Sequence, residues 1–238
     1  MSPTIQGSVL AAAVAAICPD VSARIASCGD TTPTEPELWR ELSCCLLSSQ
    51  VPYAVAQAAA AAVERSGVLT GPATSSPGSV LEVLVAILNA PLQVGATRRR
   101  YRFPQSRARQ LAATWTEVRS QAGSLSGLLQ RLGSAEQARR WLIVHAQGIG
   151  PKQASMFLRN VGITYDLAVL DRHVLSYMRE VGLTATTAMH VTALKPYLVL
   201  EATLSEHAAS MGYPVGLLDW AIWIVMRVAR RANDEVST

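Results

Sequence analysis

The chain has 238 residues, 50% of them apolar, enough to fill one large core or two small ones. Only 5% are aromatic, with 15 Gly and 12 Pro, so the apolar share rests on Ala, Leu and Val and favours helices over strands. The net charge of +4 suits a polyanionic partner, and no uninterrupted apolar run reaches the roughly 18 residues of a membrane span.

In chain order, residues 5–17 form the first predicted helix. No basic segment precedes them, which argues against a signal peptide. A short second helix follows over 21–27, then a polar turn over 28–34. Cys18, Cys28, Cys44 and Cys45 show no Cys-x-x-Cys spacing and read as free, buried thiols of a cytoplasmic, nucleoid-associated protein. Thr34, Pro36 and Glu37 read as a capping box with proline in the first turn. The helix they open carries Trp39, Leu42 and Leu46 on one face and ends near Gln50. An Ala-rich helix covers 54–65, a Gly/Ser/Thr/Pro loop 67–78, and a short apolar helix 80–88.

The basic stretch 98–102 contains Tyr101 and precedes Phe103; it is either a phosphate-binding patch or a solvated loop. Helices follow over 105–119 and 125–132, and a second capping box, Ser134 with Gln137, opens one that runs to about His145. Gly148, Ile149, Gly150 and Pro151 break the chain before a helix over 152–161. Later helices are expected over 172–181, 189–210 and 215–232. Trp39, Trp115 and Trp141 recur at helical spacing with apolar residues and read as core. The predicted fold is all-α, about ten helices with short loops.

The segment around 138–161 carries the chemistry. Two helices joined through Gly-Ile-Gly let the main chain approach another molecule closely. The free N–H groups and positive dipole end of the second helix suit a phosphate. A glycine C-cap between two packed helices accounts for the same residues. Of 21 basic residues only Lys152 and Lys195 are lysines, which singles out Lys152 at the start of that helix. Arginine stays protonated and cannot replace lysine as an amine nucleophile.

Gly148, Ile149, Gly150, Lys152 and Ala154, followed nineteen positions beyond the lysine by Asp171, resemble the helix-hairpin-helix DNA glycosylases. The likeness is greatest to the small bacterial and archaeal branch that removes 8-oxoguanine. It covers roughly residues 38–225 and is most specific over 145–175. The resemblance implies two helical domains with a DNA-binding cleft between them: 1–37 with 164–238, and a central barrel over 38–163 ending in the hairpin. It implies that Lys152 and Asp171 are catalytic and face each other across the cleft. Gly148, Ile149, Gly150, Gln50, Arg102, Arg159 and His173 would contact DNA, Gln50 entering the gap left by the flipped base. Met156, Phe157, Asp219 and Trp223 would line the base pocket. Some archaeal relatives stack a Phe placed four residues after the lysine; here Met156 stands there and Phe157 one later, turned by about 100°.

The implied reaction is base flipping followed by attack of the lysine amine on C1′ and formation of a Schiff base, with AP-lyase cleavage as a sequel. Asp171, also a natural N-cap, would stabilise the cation-like sugar as the base leaves. No metal or cofactor is needed, although hairpins of this type hold a monovalent cation beside the phosphate. The expected partner is double-stranded DNA carrying a modified base, bound by a monomer away from any membrane. Two other readings remain at this stage. One is a glycosylase for a different base, such as glucosylated cytosine in phage DNA. The other is a helix-hairpin-helix module that binds DNA without catalysis.

Overall fold

The computed structural model describes residues 5–27, 32–71 and 76–236. The order of elements is α1 (Ile5–Ser27), α2 (Glu35–Leu47), α3 (Tyr53–Ser66), α4 (Pro77–Asn89), β1 (Leu92–Val94), β2 (Thr97–Arg99), α5 (Pro104–Ala122), α6 (Leu125–Leu132), α7 (Ala135–His145), α8 (Pro151–Asn160), α9 (Arg172–Glu180), α10 (Leu194–Ser210) and α11 (Val215–Val236). The fold is all-α, and β1 and β2 form one small antiparallel ladder pairing Leu92 with Arg99. Cys28 and most of the predicted 28–34 turn lie outside the described residues, as does the middle of the 67–78 loop. Cys18, Cys44 and Cys45 are free and buried.

The chain divides into two compact units, residues 32–163 and residues 1–31 with 164–238. Helix α2 belongs whole to the first of these, so the N-terminal boundary falls near residue 31 rather than 37. In the 32–163 unit the core is built from leucines at helical spacing: Leu42, Leu46, Leu84, Leu88, Leu111, Leu125 and Leu128 have no exposed surface. Each stabilises the unit by roughly 2 kcal/mol relative to an exposed leucine. The three predicted core tryptophans are buried, and each indole N–H has an acceptor. Trp39 donates to Glu35 Oε1 (2.8 Å), Trp115 to Leu69 O (3.0 Å) and Trp141 to Gln121 Oε1 (2.8 Å). Glu35 also caps α6 from α2, accepting the N–H groups of Leu125 (2.7 Å) and Ser126 (2.8 Å).

The predicted caps form. Thr34 N–H donates to Glu37 Oε2 (2.8 Å), and Ser134 Oγ accepts the Gln137 N–H (3.2 Å). Helices α7 and α8 are tied by a residue that sequence reading passed over. Arg139 is 1% exposed, pairs with Glu136 Oε2 at 2.6 Å and donates to Ser155 Oγ at 3.3 Å.

In the other unit α1 is one continuous helix, not the two predicted. Pro19 lies inside it, where it forfeits one backbone hydrogen bond. Leu10, Val14, Cys18 and Val21 nevertheless share one face and pack into the same core as Val174, Tyr177, Leu204, Leu218 and Ile222, which offsets that loss. By length and composition Gly7–Ser27 would pass as a membrane span, contrary to the sequence expectation, but its buried residues follow the one-sided pattern of a packed helix. Gly216, at the start of α11, touches the segment before α9. A Cβ there would stand 2.9 Å from the Tyr165 carbonyl oxygen, which already accepts the Gly216 N–H at 2.7 Å.

Candidate active site

The hairpin between α7 and α8 is folded by its own short contacts. Ala146 N–H donates to Leu142 O (2.9 Å), and Ile149 N–H returns to Ala146 O (3.0 Å). Gly148 has φ +86°, a left-handed backbone that residues with a Cβ rarely adopt. Gly148 is exposed, whereas Ile149 is only 5% exposed and plugs the hairpin into the core. The predicted contact of Ile149 with DNA is therefore open to its main chain only. Gly150 N–H donates to Gln153 Oε1 (3.3 Å), and Pro151 supplies the fixed φ of the first helical position. The first-turn N–H groups of Lys152 and Gln153 remain at the positive end of α8.

Lys152 is half-buried on the first turn of α8, while Ala154, Ser155, Phe157 and Leu158 form the inner face of that helix. Phe157 has no exposed surface and offers none to a base. Met156, one turn after Lys152, is half-buried. Cys45 on α2 is fully buried, and that burial holds its thiol well above the ordinary cysteine range. The positive charge of Lys152 acts on it in the opposite sense.

Glu41, one turn before Cys45, joins α2 to the far end of α8. Its Oε1 accepts Asn160 Nδ2 at 2.7 Å and the Cys45 thiol at 3.5 Å. Burial holds its carboxyl above the usual 4.5. The folded protein thus binds this proton more tightly than the unfolded chain, and stability falls as pH rises through that range. Glu41→Gln keeps the acceptor and removes the charge. Its Tm is expected to exceed that of the wild type above about pH 7 and to match it near pH 4. A Tm difference that does not change with pH would contradict this origin.

Gln50 follows α2 as the exposed end of the turn at 48–50, with φ +60°, the one non-glycine residue with positive φ among the described residues. The turn is held from α5 and the segment before it. Tyr101 Oη donates to Leu47 O (2.8 Å), and Arg107 Nη2 donates to Ser49 O (3.4 Å). Arg102 is exposed, its guanidinium 4.8 Å from the centre of the Phe103 ring. Arg159 donates to Asn160 Oδ1 from Nε and Nη2, both at 3.3 Å.

In the other unit Asp171 is the N-cap of α9. Its Oδ1 accepts the N–H groups of His173 (2.7 Å) and Val174 (2.9 Å). The buried segment 167–170 that delivers it is pinned by three polar side chains. Glu201 Oε1 accepts Ala168 N–H (2.8 Å), and Asp219 Oδ2 accepts Val169 N–H (2.6 Å). Tyr197 Oη accepts Leu170 N–H (3.1 Å) and donates to Ala168 O (2.6 Å). Asp219 is 1% exposed. It is thus committed to the backbone behind Asp171 rather than open to a base, and does not join Trp223 as a pocket pair. Trp223 is 36% exposed, with the Arg227 guanidinium 4.3 Å from its ring centre. His173 is buried, with Arg172 Nε 3.4 Å from its Nε2.

A family profile described as 8-oxoguanine DNA glycosylase matches residues 23–213. The chain belongs to the 8-oxoguanine DNA glycosylase family. The 8-oxoguanine DNA glycosylase/AP lyase of Sulfurisphaera tokodaii is 36% identical over 125 residues, 52% of this chain and 57% of that protein. The sequence match thus spans little more than half of that relative's length. The crystal structure of the 8-oxoguanine DNA glycosylase of Thermotoga maritima superposes with TM-score 0.66 at 29% identity, covering 92% of this chain and 94% of that one. The Methanocaldococcus jannaschii 8-oxoguanine glycosylase/lyase, solved with a 15mer DNA containing 8-oxoguanine, shares the fold at TM-score 0.60 and 23% identity, covering 86% of this chain and 88% of that one.

The span matched to the glycosylase family contains Gln50, the hairpin, Lys152, Met156 and Asp171; Asp219 and Trp223 lie beyond it. Sequence reading missed Tyr197 and Glu201. A signal was available: both share the register of Leu204 and Ala208, so a carboxylate stands on the apolar face of α10. Among the described residues no three His, Cys, Asp or Glu side chains gather as metal ligands.

Proposed function

We propose that this chain is a DNA glycosylase with AP-lyase activity that flips 8-oxoguanine out of duplex DNA and excises it through Lys152. The observation that carries the reading is Lys152 on the first turn of α8, two residues beyond the glycine hairpin, within the span matched to the family. In this reading the hairpin N–H groups bind a phosphate, Arg102 and Arg159 add charge along the backbone, and Gln50 enters the gap in the stack. Met156 packs on the purine, a contact that a polarizable thioether makes without demanding one ring shape.

The unprotonated Lys152 Nζ forms a bond to C1′ while the glycosidic bond breaks, its electron pair leaving with the purine, which gains a proton as the lysine nitrogen loses one. The Asp171 carboxylate stabilises the positive charge that develops on the sugar, and its two N-cap bonds hold it fixed. Opening of the sugar leaves an imine on Lys152. Loss of a C2′ proton then expels the 3′ phosphate by β-elimination, and water releases the lysine. A monovalent cation at the hairpin would take main-chain oxygens. Among the described residues the carbonyls of Gln147, Gly148 and Ile149 accept no main-chain N–H, and they fit that demand. Its part would be to help hold the phosphate.

Borohydride trapping tests the reading. The expected result is a covalent protein–DNA band on a duplex with 8-oxoguanine opposite cytosine and none on undamaged duplex. A band on an abasic duplex alone would keep the chemistry and reject the substrate. No band on either would reject the lyase.

A further inference from the structure

Gln110 lies on α5, to which the reaction above gives no role. Its amide rests directly on Gly148: a Cβ at residue 148 would stand 2.7 Å from Gln110 Oε1, 2.8 Å from Cδ and 3.0 Å from Nε2. The same Oε1 accepts a 2.7 Å hydrogen bond from Arg107 Nη1. Arg107 passes the contact on, its Nη2 reaching the Ser49 carbonyl at 3.4 Å, next to Gln50 with its φ of +60°. Tyr101 holds the same turn one step earlier through Leu47 O. Arg107 Nε is buried with no acceptor among the described residues, so the guanidinium is held through its Nη groups, one toward Gln110 and one toward the turn. An unbroken chain of contacts therefore runs from the hairpin glycine to the residue before Gln50.

We propose that Gln110 and Arg107 are positioning residues that fix the spacing between the hairpin and the Gln50 turn. A strand gripped at Gly148 is then presented with Gln50 already at the gap left by the extruded base. This inference rests on the glycosylase reading above. The geometry gives it content. The left-handed backbone at Gln50 is unfavourable for a residue with a Cβ and persists only where neighbours hold it. Of the two side chains that hold the turn, Tyr101 and Arg107, it is Arg107 that is linked to Gly148, through Gln110. Gln110 touches neither the reacting sugar nor, in this reading, the DNA, so it acts only through the two loops.

The test uses the full chain and a double-mutant cycle with Gln110→Ala and Gln50→Ala. Extrusion is read from 2-aminopurine fluorescence beside 8-oxoguanine, and chemistry from single-turnover excision. Gln110→Ala is expected to slow extrusion and excision about tenfold, and to slow incision of a preformed abasic site less than about twofold. In the Gln50→Ala background the same change should cost less than about twofold, because the turn it positions has lost its side chain. Gln110→Met keeps the packing on Gly148 but removes the acceptor for Arg107; it should slow extrusion as Gln110→Ala does, with a smaller fall in Tm than Gln110→Ala. Equal losses on excision and abasic incision, or a full tenfold loss added to Gln50→Ala, would show a merely structural role and overturn the link. Wild-type protein inactive on both substrates would overturn the glycosylase reading, and the link with it.

Discussion

Lys152→Gln is expected to give no borohydride-trapped adduct and to lower excision of 8-oxoguanine by on the order of 10³-fold or more. An amide nitrogen cannot attack C1′, and no second amine shares the first turn of α8. The variant should fold. Lys152 is half-buried, and no salt bridge among the described residues engages it. The hairpin that would bind phosphate does not use its side chain, being built from Ala146, Gly148, Ile149, Gly150 and Gln153. Affinity for lesion-bearing duplex should therefore fall by no more than about threefold, the loss of one charge near the backbone. This separation of binding from chemistry is what distinguishes an enzyme from a helix-hairpin-helix binding module, in which Lys152→Gln would alter neither trapping nor excision. A trapped band that persists in the variant would move the nucleophile elsewhere; Lys195 is the one other lysine in the chain.

Sequence pattern reached local features and stopped at contacts between distant residues. Caps at Thr34 and Ser134, the indole positions and the glycine break at 148–150 were all legible, because each is set by residues within one or two turns. The β1–β2 hairpin was not. Each strand is three residues, too short to show alternation, and the Arg run in β2 reads as a charged loop. The predicted gap between residues 17 and 21 falls at Pro19, yet α1 runs through it because core packing overrides the lost bond. At the site, Lys152 and Asp171 were singled out through the resemblance, by the hairpin motif and the nineteen-residue spacing. What fixes Asp171 was not legible: the brace of Tyr197, Glu201 and Asp219 joins residues 168–170 to helices some 30 to 50 positions later. Asp219 shows where burial overrides a role carried over by resemblance. The resemblance put it in the base pocket with Trp223, whereas burial made it a backbone acceptor. Phe157 was misjudged in the same way: one residue beyond Met156 turns it into the core.

The second large effect concerns Asp171, where the cap and the proposed catalytic role sit on one carboxylate and two substitutions separate them. Asn is as good an N-cap as Asp, so Asp171→Asn keeps an acceptor for the His173 and Val174 N–H groups and should hold the fold within a few tenths of a kcal/mol. It removes the negative charge. If that charge stabilises the sugar as the base departs, excision should fall by about 10²–10³-fold, the effect of deleting one preorganised electrostatic group. Asp171→Ala should lose the same catalysis and, in addition, about 1 kcal/mol of stability from the cap. The brace makes this a clean comparison. Segment 167–170 is held by hydrogen bonds to α10 and α11 that neither substitution touches, so residue 171 stays where Asp stood. The loss should also be confined to the first step. On a preformed abasic duplex the purine is already gone, and borohydride should trap Asp171→Asn on Lys152 within about tenfold of the wild-type yield. Full excision by Asp171→Asn, with only Asp171→Ala impaired, would reduce Asp171 to the cap of α9 and leave departure of the base to another group.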